Sequence, residues 1–402
     1  MRIMKLGVRS LGLSIMLVCV LSVSSQAIWL GQSQVNPFLE VQGTYDSNIF
    51  RVSDDDENKE SDYIIVVSPG IHAEFPTVQD SQFRLLANYR ANLKYYGNHG
   101  DDTIDPDEEL NTMEHRMDAQ AKLNLASGFS LQAGYELNLI SVPPDFPGDT
   151  RNKYAEHGPM AKVGYIFIDR YEVQIGYDGT FRRYDDEDLQ DDDLTSHQID
   201  GTFFYRLFPS LSLLGGGGYG TIDRQEGQFF SDSTEYRGFG GVRFDASSRL
   251  TGILKAGIVS KNFDTEGFED RTDAFVSGEL ISEFTEDTRL SVKIYRDIYE
   301  GSMSDESGAY YVLTGLNASV KHTLAMLPNL SFSGSLKVDQ ETYPEDQDDR
   351  KDNNFEIGVG AEYKFFKYLI AGAKYLHSQT DSSLNEYDYG DDMATVSIQA
   401  KF

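Results

Sequence analysis

Between Phe83 and Tyr95 every second residue is apolar: Phe83, Leu85, Ala87, Tyr89, Ala91, Leu93 and Tyr95 share one face. Arg84, Asn88, Arg90, Asn92 and Lys94 share the other. A period of two sustained over this length predicts a β-strand, and one that suits a tilted crossing of a bilayer better than a globular sheet. The pattern recurs. Met113, Met117, Ala119, Ala121, Leu123 and Leu125 alternate with polar residues, as do Leu131 to Leu139, Tyr310 to Val320 and Phe355 to Phe365. Such segments number about eighteen, near 36–45, 62–75, 82–96, 111–125, 129–140, 155–168, 171–183, 196–208, 211–221, 234–245, 249–260, 272–284, 289–299, 309–321, 330–339, 354–365, 368–377 and 393–402.

The connections between them alternate in length. Asp169-Arg170, Pro209-Ser210 and Phe366-Lys367 are short; SDDDENKESD, GDDTIDPDEE, DDEDLQDDD and EDQDDRKD are long and acidic. Short turns on one side and long loops on the other are the habit of outer-membrane barrels. The reading is therefore all-β: a single closed antiparallel transmembrane β-barrel of about 18 strands, with short periplasmic turns and long acidic outer loops. Closure follows because backbone groups in lipid must be paired and an open edge cannot be. Eighteen strands tilted by roughly 40° give a backbone diameter of about 35 Å, too wide for side chains to fill. No connection is long enough to predict a plug or a deeply folded constriction loop.

Residues 1–27 read as a signal peptide ahead of a 28–402 barrel. Arg2, Lys5 and Arg9 precede an apolar run from Leu11 to Val23, and Ser25-Gln26-Ala27 offers a cleavage site. The run is too short to span a membrane. Losing it moves the net charge from −30 to −33 and removes Cys19, the one cysteine. Such a charge excludes a nucleic-acid partner, which would need a basic footprint. The mean hydropathy of −0.43 excludes a membrane helix bundle but not a barrel, in which only alternate residues meet lipid. The expected location is the outer membrane of a Gram-negative-type bacterium, with lipid and the barrel-assembly machinery as partners. The final strand supports this: Ile398, Ala400 and Phe402 alternate with polar residues up to a terminal aromatic that resembles an assembly signal.

Candidate chemistry is sparse. The seven histidines are scattered singly, and no metal-binding or nucleophile motif is present, so no enzyme and no cofactor is expected. The glycine-rich GGGGYG at 215–220 lies inside a strand and relieves crowding there; it is no nucleotide loop. Alternation sends Arg84, Arg90, Lys94, Arg116, Arg182, Arg206, Arg237 and Arg243 to the lumen, with Lys122, Lys162, Lys255, Lys293 and Lys337 beside them. Glu40, Glu114, Asp118, Glu136, Glu172, Asp178, Asp200, Glu279, Glu356 and Glu362 join them, so the wall is nearly balanced. These charges either brace and solvate the wall or form a track for an anionic solute. In the loops, Asp54, Asp55, Asp56, Asp191, Asp192 and Asp193 are weak candidates for Ca²⁺ or Mg²⁺, or simply a solvated face.

One segment adds a family. VQGTYDSNIFR, residues 41–51, is similar to the stretch near the mature start of the putative β-barrel porin 2 group. The resemblance implies an outer-membrane channel, and some members are linked to exopolysaccharide or capsule export, with a periplasmic export partner. The functions to be weighed are thus a polysaccharide exporter, a passive porin for small solutes, and an adhesive barrel whose acidic loops bind cations.

Overall fold

A computed structural model describes residues 28–30, 33–53, 56, 58–77, 81–99, 110–142, 152–186, 189–190, 193–224, 231–247, 249–265, 268–301, 310–344 and 350–402. The expected leader, 1–27, lies outside them. The strands are β1 Ile28–Leu30, β2 Ser33–Asp46, β3 Asp62–Phe75, β4 Phe83–Tyr96, β5 Thr112–Asn124, β6 Phe129–Val142, β7 Asn152–Phe167, β8 Tyr171–Tyr184, β9 Leu194–Phe208 and β10 Leu211–Arg224. They continue as β11 Ser233–Ser247, β12 Leu250–Phe263, β13 Arg271–Thr285, β14 Thr288–Glu300, β15 Tyr310–Leu324, β16 Leu327–Thr342, β17 Lys351–Phe366, β18 Leu369–Ser382 and β19 Tyr389–Lys401.

Strands β2 to β19 form a closed antiparallel ring of eighteen in chain order. β19 closes it by pairing with β2, Met393 opposite Asp46 and Lys401 opposite Phe38. The three residues of β1 pair only with the start of β2. A 14-residue strand tilted by roughly 40° rises about 35 Å, so its ends reach past a hydrocarbon core of about 30 Å into water. The glycine-rich segment is the middle of β10. Gly216 has no room for a Cβ, because one would strike the Gly201 backbone carbonyl of β9 and stand 2.9 Å from the Phe239 ring of β11.

The faces follow the alternation. Val396 is 64 % exposed, Ile258 60 %, and Ile175 and Val359 56 %, apolar residues that only lipid can cover. Aromatic pairs gather near the strand ends, such as Tyr45 with Tyr63 and Tyr171 with Tyr205, as expected of interfacial girdles. The other face carries ion pairs that skip strands. Arg243 on β11 bonds Glu172 on β8 at 2.6 Å, a reach possible only across the concave side.

The interior departs from the expectation of an unobstructed lumen. Phe204, Leu214, Phe239, Val259 and Phe275, in phase with the polar side of β9 to β13, form a buried apolar cluster. Ile298, Tyr310 and Val312 complete it, although alternation puts them on the lipid side. The reason is a split in the wall: β13 and β14 pair only from Val276–Arg296 to Thr285–Thr288. Beyond the split the outer ends of β14 and β15 lean inward. Tyr310 packs on Phe263 with ring centroids 5.5 Å apart, and Glu300 meets Lys261, whose side chain is fully buried. Asp297 bonds Arg237 at 2.9 Å, and Arg224 donates to the Gly301 carbonyl at 2.7 Å. Above the lipid an apolar strand end has nothing outside to cover it; the apolar inner patch of β12 and β13 supplies the cover.

Candidate functional site

Loop one folds inward as well. Asn48, 1 % exposed, accepts from the Val52 N–H at 3.2 Å and donates to the carbonyls of Val52 and Gly390. Ser47 donates to Asp391 at 3.0 Å and accepts from the Asp392 N–H at 2.7 Å. The Tyr45 to Arg51 motif is thereby a clasp over the β2–β19 closure. It seats Ile49, Phe50 and Val52 on Tyr96, Leu110 and Ile64. His99 fastens the far side of the loop: its Nδ1 meets Asp62 at 3.0 Å and its Nε2 meets Glu60 at 2.6 Å. Burial by itself lowers the imidazole pKa, but the two carboxylates outweigh it and raise the value above normal.

Inside the ring the arginines singled out by alternation are mostly neutralised. Arg84 bonds Glu74, Arg90 bonds Glu40 at 2.9 Å, Lys94 bonds Glu114 at 2.5 Å, and Arg182 bonds Glu156 at 2.8 Å. Arg237 holds Glu235 as well as Asp297, and Arg243 stacks 4.0 Å over the Phe204 ring besides holding Glu172. Arg206 donates to the Asp169 carbonyl at the periplasmic turn. Arg90 reaches β2 past Gly70, where a Cβ would strike the Phe38 ring; that ring in turn lies 5.2 Å beneath the guanidinium.

Arg116 differs. Among the described residues it has no carboxylate within ion-pair distance, and neither do Lys122 and Lys162. Arg116 borders a cavity of about 920 Å³ with Asn36, His72, Asn88, Asp118 and Lys401. Lys122 and Lys162 border a smaller one of about 160 Å³ with Gln132 and Gln174. All three cations lie on β5 to β7, Arg116 near mid-height and the lysines towards the short turns, among the inward acids Glu114, Asp118, Glu136 and Glu156 of the same strands.

Of the loop acids, Asp54, Asp55, Asp191 and Asp192 lie outside the described residues. Asp56 accepts from the Asn58 N–H at 2.7 Å, and Asp193 accepts from the Tyr184 N–H at 2.8 Å and faces Arg183. No trio of His, Cys, Asp or Glu among the described residues is arranged to hold a metal. At the chain end Ile398 is exposed to lipid, Ala400 is buried, and Phe402 donates its N–H to the Pro37 carbonyl at 2.8 Å.

Residues 26–402 match the family described as putative beta-barrel porin 2. Among solved structures, a BenF-like porin from Pseudomonas fluorescens Pf-5 is 11 % identical and superposes with a TM-score of 0.50, over 93 % of this chain and 100 % of that one. OpdK from Pseudomonas aeruginosa is 12 % identical, with a TM-score of 0.47 over 92 % and 99 %. OccAB3 from Acinetobacter baumannii is 10 % identical, with a TM-score of 0.47 over 92 % and 99 %. Likeness at this level speaks to the fold alone. No curated protein sequence matches the chain.

Proposed function

The chain belongs to the putative beta-barrel porin 2 family of outer-membrane proteins, and we propose that it is a passive channel for small hydrated solutes, with anions favoured beside a few cations left out of its ion pairs. The observation that carries this is the trio Arg116, Lys122 and Lys162. They lie beside open cavities with no carboxylate within ion-pair distance among the described residues, while six of the eight cations first singled out are paired with carboxylates. A cation kept for bracing is paired; one left to water can exchange water for a solute at little cost. The inward lean of β14 and β15 and the seated loop one narrow the outer mouth, which favours small solutes over a chain of sugars. Export of a polysaccharide, which the resemblance implied, gains no support from this geometry. A channel of this kind calls for no catalytic group.

Purified protein in planar bilayers tests the reading. It is expected to conduct alone in potassium chloride, and Arg116→Glu with Lys162→Glu is expected to move selectivity towards cations. Arg90→Glu should move it less, because Arg90 is already offset by Glu40. Negligible conductance, or a selectivity that no substitution alters, would overturn the proposal.

A further inference from the structure

Across the ring from the basic trio, on the wall formed by β14 to β18, the lumen holds a second cavity of about 380 Å³. In the ring order β15 and β16 stand nine strands from β6 and β7, half-way round. Arg289, Lys374, Ser291, Ser319, Ser333 and Ser335 border this cavity. The register places them together: Ser291 opposite Ser319, Ser319 opposite Ser335, and Arg289 opposite Lys321. From it we infer a binding subsite for a small oxyanion, a carboxylate or phosphate solute, built from two free cations and a bed of free hydroxyls. The inference rests on the channel reading above and deepens it by naming a solute class.

The argument is one of unspent donors. Several other inner-face hydroxyls are engaged, although the buried Ser233 is not: Ser68 donates to Asn92 at 2.8 Å, Ser382 to Asp352 at 2.6 Å, and Thr44 pairs with Thr395 at 2.9 Å. Among the described residues the four serines of this cavity make no side-chain hydrogen bond. Arg289 and Lys374 likewise have no carboxylate within ion-pair distance. Glu283 faces Arg289 across the β13–β14 pairing but stays beyond that distance, and Glu362 is held by Lys321 at 2.6 Å. A guanidinium, an ammonium and several hydroxyls around one space suit an oxyanion, whose oxygens accept from all of them. The floor is kept clear. A Cβ at Gly358 would stand 2.4 Å from the Ser335 Oγ, and one at Gly360 2.8 Å from the Ser333 Oγ. The cations lie close to the short turns, Arg289 one residue past the start of β14 and Lys374 five past the start of β18, so the subsite sits at the periplasmic end of the lumen.

The test is single-channel recording from the purified barrel in potassium chloride, with sodium gluconate or inorganic phosphate added from the periplasmic side. Block by gluconate alone assigns a carboxylate solute, and block by phosphate alone assigns a phosphate one. In Arg289→Gln with Lys374→Gln the half-blocking concentration is expected to rise roughly tenfold, the worth of one charge-assisted contact. Arg289→Lys should retain much of the block. If that double variant assembles poorly, judged by heat-modifiable mobility, Ser319→Ala with Ser333→Ala serves instead and is expected to weaken block in the same direction. Absence of block by both anions in wild type, or block untouched by the substitutions, overturns the subsite while leaving the channel reading intact. Absence of conductance in chloride alone overturns the channel reading instead.

Discussion

His99 illustrates how one side chain joins a loop to the barrel. Both of its nitrogens face carboxylates, those of Glu60 and Asp62, and its pKa in the folded protein is raised. The stabilisation it gives loop one is fully present below the unfolded value of about 6.5 and is lost as pH rises through the higher folded value. Proteolytic nicking of loop one is therefore expected to be slowest in mildly acidic buffer and to speed up above that range. His99→Gln should flatten the profile, and an unchanged profile would show that the imidazole is not the clasp. Lys261 makes the same point for the interior. With the side chain fully buried against Glu300, loss of the carboxylate in Glu300→Gln strands a buried ammonium. Removing one partner of a buried pair costs about 3–5 kcal/mol. A reversible folding assay in detergent should show a loss of that order, partly relieved by Lys261→Met.

At the scale of the strand, the two faces answer to different solvents. Val396 lies near the middle of β19 and is among the most lipid-exposed residues, whereas Gln399 faces inward, where it donates to Glu40. Val396→Arg is expected to cost about 2–4 kcal/mol, the price of a cation near the bilayer midplane. Gln399→Arg should cost much less, and equal losses would mean that the faces are exchanged. The last strand also carries the closure. Phe402 ties its backbone to Pro37 on β2, so Phe402→Ala, and more so its deletion, is expected to lower the yield of assembled barrel. Heat-modifiable mobility on gels reads that yield directly.

At the scale of the whole molecule, the ring has one place where it yields. The outer parts of β13 and β14 are unpaired with each other, and the ends of β14 and β15 occupy the lumen instead. What holds them there is apolar contact from Ile298, Tyr310 and Val312 together with the polar ties of Asp297 and Glu300. Tyr310→Ser with Val312→Ser removes much of that contact. It should let the hairpin swing outward and raise single-channel conductance; a conductance equal to wild type would show that the lean does not limit flow.

Alternation, together with the alternating lengths of the connections, the leader and the terminal strand, established a barrel of about eighteen strands and its location. Lipid on one side and water on the other impose a period of two at every step, and this imprint survives without knowledge of any partner strand. Segment 62–75 matches β3 to the residue, and most other boundaries fall within a few positions. The same rule assigned the inner charges to a face. It could not say which were spent, because pairing depends on strands far apart in the chain, as with Arg243 and Glu172 or Arg237 and Asp297. Nor did it reveal the leaning hairpin. Phe204, Phe239 and Phe275 stood in phase with inward charges, a legible sign of an apolar inner patch. What would cover that patch was a matter of which strand ends stand above the lipid and can reach it, a competition for apolar cover that only the closed ring decides.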